Sequence, residues 1–450
     1  MSYNAIVCPL QNVEKHPDAD RLQIATAMGH TVIIGLNQVN GDLGLFFPPD
    51  GQLSLEFATA NDLLKRVDKK GKQCGGFFES SRRVRNIALR GVKTEGFWIS
   101  VESLAKLHEQ EKGIPLVAGI TVGLELDSYQ GIPLCNKYIT PATIKARSES
   151  SIYATNNKTK RQVKELHGLA MHWNTPQLKQ STHSFQKVPG AIIITEKLHG
   201  TSGRLGCAKV SRPKTFAEMT LLEKVSHYVF RRTPAQKKEW KVTNGTRNVV
   251  LLNDHQKDKY RFDVVKGIED SLHHGETIFF EIVGYTHTGA PIMPAHDLRM
   301  LKNKILLAKY GEHMEYRYGC SVEEDSEKPL NRLFVYRISR TSDDGHELDM
   351  PWNQLTARCA ELGLDHVPVV MANTQLSNIH DFFNPCPLNL ESLSSGGSVL
   401  DSHLKEGICI RVEYFHETKP KIFKLKNWEF GVLEGYIKDD ADYIDEEESN

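Results

Sequence analysis

Ala191-Ile192-Ile193-Ile194-Thr195-Glu196-Lys197-Leu198-His199-Gly200-Thr201-Ser202 is the stretch on which the reading of this chain turns. Three consecutive isoleucines form a short, β-branched apolar run, which predicts a buried strand. A lysine at the end of such a strand, followed closely by a glycine turn, is placed at the rim of a pocket. Alone the pattern says little, because most lysines are solvated ends. Its weight comes from four further pieces in order downstream: Phe280-Glu281-Ile282-Val283-Gly284, Phe334-Val335-Tyr336-Arg337-Ile338, Glu406-Gly407-Ile408-Cys409-Ile410-Arg411 and Lys424-Leu425-Lys426.

Each piece has a plain and a chemical reading. Lys424 and Lys426 are two apart in a strand-like run, so both point to one face while Phe423 and Leu425 point to the other. An isolated pair of this kind is an exposed strand face; two cations aimed at one spot also suit a phosphate. Glu281 lies within Ile278–Val283, where a carboxylate is costly without a partner, and a buried ion pair is the plain alternative. Phe334 and Tyr336 share a face, and each is either a core aromatic or a stacking platform.

The five pieces together resemble the covalent nucleotidyltransferases, the superfamily of DNA ligases, RNA ligases and mRNA capping enzymes. Their signature is K-x-[D/N/H]-G, an acidic strand, an aromatic strand, E-G-[I/V]-[I/V]-[I/V]-R and K-x-K. All five occur here between Lys197 and Lys426, about half the chain. DNA ligases and capping enzymes usually carry aspartate and arginine where this chain has His199 and Ser202. Lys197-Leu198-His199-Gly200-Thr201-Ser202, with Glu196 before it, looks like the RNA ligase variant. The resemblance implies an ATP-dependent RNA ligase with Lys197 as nucleophile, forming lysyl-AMP and then an adenylylated 5′-phosphate. A DNA ligase or capping-type transferase, and a non-catalytic RNA-binding protein with a decayed transferase domain, are the alternatives. Intact Lys197, Glu281, Glu406, Lys424 and Lys426 speak against decay.

The reaction assigns expectations to residues. A lysine must be neutral to attack the α-phosphate of ATP, yet its ordinary pKa is about 10.4. Lys424 and Lys426 are expected to contact that phosphate and to discourage protonation of Lys197. Glu406 is expected to hold Mg2+ or Mn2+, since hard cations take carboxylate and phosphate oxygens. By resemblance Glu281 takes the ribose hydroxyls, Tyr336 stacks on adenine, and Glu196 accepts from its amino group. Arg247, in Asn244-Gly245-Thr246-Arg247-Asn248-Val249-Val250, resembles the arginine that touches ribose or phosphate. His199 departs from the superfamily's usual aspartate, which puts a metal role at that position in doubt.

Working outward, 450 residues are too many for one ordinary core. The expected architecture is multidomain: an all-β OB-like barrel over 1–130, a linker and entry segment over 131–185, an α+β nucleotidyltransferase domain with antiparallel sheets over 186–437, and an acidic tail over 438–450. Short apolar runs at Thr31–Gly35, Gly44–Phe47 and Gly96–Ser100 with turn signals between them suggest the barrel. In the second domain strands are expected at Ala191–Glu196, Thr277–Gly284, Leu333–Ile338, Gly407–Val412 and Lys421–Lys426, helices at Phe216–Phe230 and Gln354–Leu362, and a loop at Ser392–Ser398. A further helix is expected at Glu102–Glu111.

His16-Pro17-Asp18-Ala19-Asp20-Arg21-Leu22 resembles the start of OB modules appended to tRNA-binding proteins and certain RNA ligases. An amino-terminal module is the order of the Deinococcus-type RNA ligases; only 24 residues follow Lys426, too few for a barrel behind. Arg82, Arg83 and Arg85, continuing to Arg90 and Lys93, are candidate nucleic-acid contacts on an expected strand pair, or else a solvated basic edge. The basic segment Lys224–Lys241 either tracks a phosphate backbone or is a solvated insertion, and the second reading is preferred.

Lys+Arg and Asp+Glu both number 56, but the acidic tail leaves the rest of the chain net basic. The eight cysteines are scattered without a C-x-x-C pair, which fits free thiols rather than a disulfide scaffold. No signal peptide or membrane span is apparent, so a cytoplasmic monomer acting on a nicked RNA or RNA/DNA duplex is expected.

Overall fold

The isoleucine run forms the strand Gly190–Lys197, inside a four-stranded antiparallel sheet ordered Val369–Leu376, Gly190–Lys197, Gly407–Tyr414, Lys421–Lys426. The computed structural model describes residues 3–49, 51–67, 73–108, 119–139, 162–163, 169–173, 175–179, 181, 185–229, 233, 235–251, 258–301, 304–323, 325–383, 390–434 and 437–439. Ile192, Ile194, Ile408, Ile410 and Val412 are fully buried in one core with Phe185, Phe383 and Phe423. β-branched residues on both central strands are what a doubly covered strand requires.

Directly after Lys197, Leu198-His199-Gly200 carries the chain into a second, larger sheet. Its order is Gln162–Val163, Val250–Leu251, Gln236–Thr246, Thr201–Pro213, Glu276–Gly284, Asn331–Thr341, Glu347–Asp349, all antiparallel, with Asp365–His366 parallel to Asn331–Thr341. The crossing needs Gly200, because a Cβ there would lie 2.4 Å from the Ile282 carbonyl oxygen. The five motif pieces thus fall on five strands of two adjoining sheets.

Local signals account for most of these elements, and the departures are instructive. The expected Phe216–Phe230 helix is split into a 3-10 turn, Phe216–Glu218, and a helix, Leu221–Tyr228. Thr220 caps the second piece through a reciprocal pair with Glu223, so a new start signal wins over continuity. Trp352–Leu362 is a helix and ends at Gly363 in the left-handed conformation. Val101–His108 is a 3-10 helix, and the rest of the expected Glu102–Glu111 helix lies outside the described residues. Leu390–Ser394 is helical, so the Ser/Gly stretch begins as a helix and not as a loop. Arg231, Arg232, Cys386 and nearly all of the acidic tail lie outside the described residues.

The chain divides into two compact units. One comprises 1–156, 179–183 and 431–450, and the other 157–178 and 184–430. The first unit is nearly all β, with a four-stranded sheet (Phe97–Ser100, Leu43–Phe47, Ala5–Pro9, Glu125–Leu126) and a three-stranded one (Gln11–Lys15, Leu22–Ala27, His30–Gly35). Ile437–Asp439 returns to pair in parallel with Asn86–Leu89 in this unit. No closed barrel is found where the OB-like barrel was expected: among the described residues the strands separate into several small sheets, none closing on itself. The His16–Leu22 motif is the hairpin loop between Gln11–Lys15 and Leu22–Ala27, where buried His16 accepts the Asp18 amide on Nδ1. Arg82, Arg83 and Arg85 precede the strand Asn86–Leu89 instead of lying on it. Among the described residues no helix is long and apolar enough to cross a membrane.

Candidate active site

Where the two sheets meet in the second unit, a cavity of about 150 Å3 is lined by Lys197, Ser202, Arg247, Glu281, Tyr336 and Lys424, among others. Strand position places most of these, and Arg247 comes from the bend between Gln236–Thr246 and Val250–Leu251. Lys421–Lys426 turns Lys424 into the cavity and buries Phe423 and Leu425 on its other side. Phe334, by contrast, is buried outside the cavity under the Arg332 guanidinium at 4.6 Å, while Tyr336 lines it.

Glu406 is the hub. Its Oε2 accepts from Lys197 Nζ at 2.7 Å, its Oε1 is 3.2 Å from Lys426 Nζ, and His199 Nδ1 stands 3.6 Å from Oε2. Gly407 lets it approach: φ is +150° there, and a Cβ would lie 2.3 Å from the Leu425 carbonyl oxygen. His199 is itself fixed, its backbone N–H donating to Tyr318 Oη at 2.7 Å and its ring packed edge-on against Tyr316 and Phe430.

The charges sort themselves by these contacts. Burial disfavours the Glu406 anion, but Lys197, His199 and Lys426 outweigh it and hold the carboxyl far below the usual range. Burial and Lys426 disfavour the Lys197 cation, yet Glu406, with Cys409 and Glu281, favours it, and the net pKa is raised. Lys426 does disfavour the Lys197 cation, as expected, but with the Glu406 carboxylate at contact distance the net direction is upward. The depressed lysine is Lys424, brought down to about 8 by burial and by Lys426 and Lys197.

Glu281 accepts from Ser202 Oγ at 2.9 Å, and burial pushes its carboxyl up to about 7. That elevation carries a sign. A carboxyl protonated longer in the folded than in the unfolded state supports stability below about 4.5, and that support is lost as pH rises to about 7. Glu281→Gln is expected to flatten the fall in stability across this window, read as urea midpoints at several pH values. Parallel parent and variant curves would contradict the assignment.

Several lining residues have no counterpart among the sequence candidates. His172 and Trp173, Arg337, Cys409 and Arg411 also face the cavity. The Arg337 guanidinium lies 3.6 Å over the Trp173 ring and 2.5 Å from Asp349 through Nε. His172 is brought down to about 4 by burial and by Arg247. Arg261 braces the strand after the lysine, donating to Thr201 Oγ1 at 2.6 Å. Cys409 had a legible signal, since alternation from Glu406 turns it away from Ile408 and Ile410. His172 and Trp173 had none, lying in a stretch without periodicity.

A family model described as RNA ligase matches residues 190–426, from the start of the isoleucine strand to the second lysine of the K-x-K. The chain belongs to the RNA ligase family. Among curated proteins no sequence matches. Among solved structures, an apo mutant of Naegleria gruberi RNA ligase superposes with TM-score 0.56 at 12% identity, covering 97% of this chain and 99% of that one. Another mutant of the Naegleria enzyme, with ATP and Mn, gives 0.54 at 12%, covering 97% and 99%. The form with pyrophosphate gives 0.54 at 13%, covering 94% and 96%. At these identities the likeness is one of fold, and it spans both units of this RNA ligase.

The remaining sequence candidates are placed as follows. Glu196, next to the lysine of this RNA ligase, accepts the Val399 amide on Oε2 at 2.8 Å while also lining the cavity. Arg82 has φ +51°, and its guanidinium donates to the Leu53 and Ser80 carbonyls at 3.0 and 3.4 Å, so it braces its own loop. Arg83 lies 4.6 Å over the Tyr138 ring. No group of three or more His, Cys, Asp or Glu able to cage a metal exists among the described residues.

Proposed function

We propose that the chain is an ATP-dependent RNA ligase joining 3′-hydroxyl and 5′-phosphate ends, at nicks in duplexes, through lysyl-AMP on Lys197. The observation that carries this reading is the Lys197–Glu406 contact of 2.7 Å beside a cavity that also receives Lys424, Glu281, Tyr336 and Arg247. Lys197 Nζ attacks the α-phosphorus, the bond to the β-phosphate breaks, pyrophosphate leaves, and Nζ gives up a proton. A 5′-phosphate oxygen then takes AMP from the lysine, and the 3′-hydroxyl displaces AMP from that activated end.

The residues divide this work. Lys424 and Lys426 bear on the phosphate from one strand face and offset its developing charge. Tyr336 stacks on adenine, Glu281 with Ser202 takes the ribose hydroxyls, and Arg247 takes ribose or phosphate. Val399 already holds one oxygen of Glu196, leaving the other for the adenine amino group. The Naegleria structures with ATP and Mn support the choice of nucleotide and metal. Glu406, with no cage of three such ligands among the described residues, fits Mg2+ or Mn2+, which keep waters and share substrate phosphates. Such an ion, held by Glu406, would neutralise phosphate charge and weaken the hold of Glu406 on the Lys197 proton.

Labelling with α-labelled ATP and, separately, GTP, followed by denaturing electrophoresis, tests the reading. An adduct from ATP alone is expected; one from GTP alone would make the protein a capping-type transferase. For the strand ends, the His199/Ser202 variant resembles nick-sealing RNA ligases, and only the 2′-hydroxyl marks RNA at a given position. Ribonucleotides are expected to be needed on the 3′-hydroxyl side of a nick, with DNA tolerated on the 5′-phosphate side. Nicked duplexes differing only in those sugars measure this, and equal sealing of an all-DNA nick would refute it.

A further inference from the structure

The first unit contains a larger cavity than the active site, about 410 Å3, which none of the five motifs touches. Its lining is mixed. The apolar part includes Ile33, Leu63, Ile87 and Phe97. At the mouth Phe77 is 40% exposed, its ring nearly parallel to Phe97 (15° between planes, centroids 6.1 Å apart) and edge-on to Phe78. The rim carries Lys65, Arg83 and Arg85 against the one carboxylate of Glu79, with Ser81, Ser100 and Gln38 as neutral hydrogen-bonding groups.

The arginines reach this rim by alternation. Val84 is fully buried, so Arg83 and Arg85 on either side of it turn to the cavity, followed at the same spacing by Ile87 and Leu89. Arg85 makes no hydrogen bond or ion pair among the described residues. An arginine held beside an apolar opening, with no partner among the described residues, is suited to an anion that arrives with an apolar body.

We propose that this cleft takes one unstacked nucleobase of single-stranded RNA, with Phe77 as its stacking surface and Arg85 on the adjoining phosphate. The volume is that of a small-molecule site. Stacking on an exposed aromatic with cations beside it is how single strands are held without sequence preference. A purely apolar ligand would leave the cationic rim unused, and a bare phosphate would leave Phe77 and the apolar part unused. The proposal rests on the ligase reading only for the identity of the nucleic acid as substrate.

The test uses the full-length protein without ATP and fluorescein-labelled octamers, one of uridylates and one abasic with the same number of phosphates. The parent is expected to bind the uridylate octamer more tightly than the abasic one. Phe77→Ala should weaken the uridylate octamer about 5- to 100-fold, with no change for the abasic one. Phe77→Trp should restore the difference, which separates stacking from a folding defect. Arg85→Ala should weaken both octamers and reduce the slope of log K against log salt by about 0.7. Equal binding of the two octamers by the parent, or an unchanged preference in Phe77→Ala, would overturn the proposal. So would an apolar dye that occupies the cleft and is not displaced by the uridylate octamer. Running the same titrations on Lys197→Ala keeps the two readings apart, because binding here needs no lysyl-AMP.

Discussion

Lys197→Ala is expected to abolish formation of an acid-labile AMP adduct from ATP with magnesium or manganese, while leaving the fold intact. Both halves of this expectation follow from the geometry. Neither neighbouring lysine among the described residues stands in its place: Lys424 lines the cavity from a different strand, and Lys426 is engaged with the other oxygen of Glu406. Removing the amine takes one of three partners from Glu406, whose side chain is only 6% exposed, and a bare buried carboxylate would be costly. Lys426 at 3.2 Å and His199 at 3.6 Å remain, so the charge stays compensated. Lys197→Arg makes the point separately, since it keeps a cation for Glu406 and offers no usable nucleophile at neutral pH. Labelling under denaturing conditions and thermal unfolding read the two halves. An adduct persisting on either variant would remove Lys197 from the mechanism.

Glu406→Ala, Lys424→Ala and Lys426→Ala are each expected to slow adenylylation by about 100-fold or more, the scale of losing one preorganised charge at a transferring phosphoryl group. Glu406→Ala is the most informative of the three. It takes away the group that raises the Lys197 pKa, so more of the amine would be neutral at a given pH. If deprotonation of Lys197 alone limited the reaction, the variant would be faster than the parent. A slower variant instead shows that the carboxylate is needed during transfer, as its place at the centre of two lysines and a histidine suggests. Single-turnover labelling at fixed pH measures all three. Near-parent rates throughout would contradict the proposed pocket.

Much of this was legible before any fold was known. Lys421–Lys426 and the core of Gly190–Lys197 could be drawn from residues alone, because period-two alternation and β-branched runs are local properties. The same locality made the sides of the strands readable: Lys424 and Lys426 on one face, Phe423 and Leu425 on the other. It failed where two local signals competed, as at Thr220, whose capping pair ends one helical turn and starts another. It could not settle the first unit, where closure of a barrel depends on pairings between distant strands that no short window contains.

The sequence by itself determined the family and the candidates: the order of the five pieces from Lys197 to Lys426 singles out a lysine, two carboxylates and two further cations without reference to space. Only the tertiary structure decided their protonation. Lys197 and Glu406 are 209 residues apart in sequence and 2.7 Å apart in space, and at that separation their attraction, with Cys409 and Glu281 adding to it, raises the Lys197 pKa against burial and Lys426. It likewise decided that Lys424 is the lysine brought low, that His172 and Trp173 reach the cavity, and that Arg82 is spent on its own loop. Charge states follow distance and burial, which are sums over every neighbour in space, whereas a motif records neighbours along the chain.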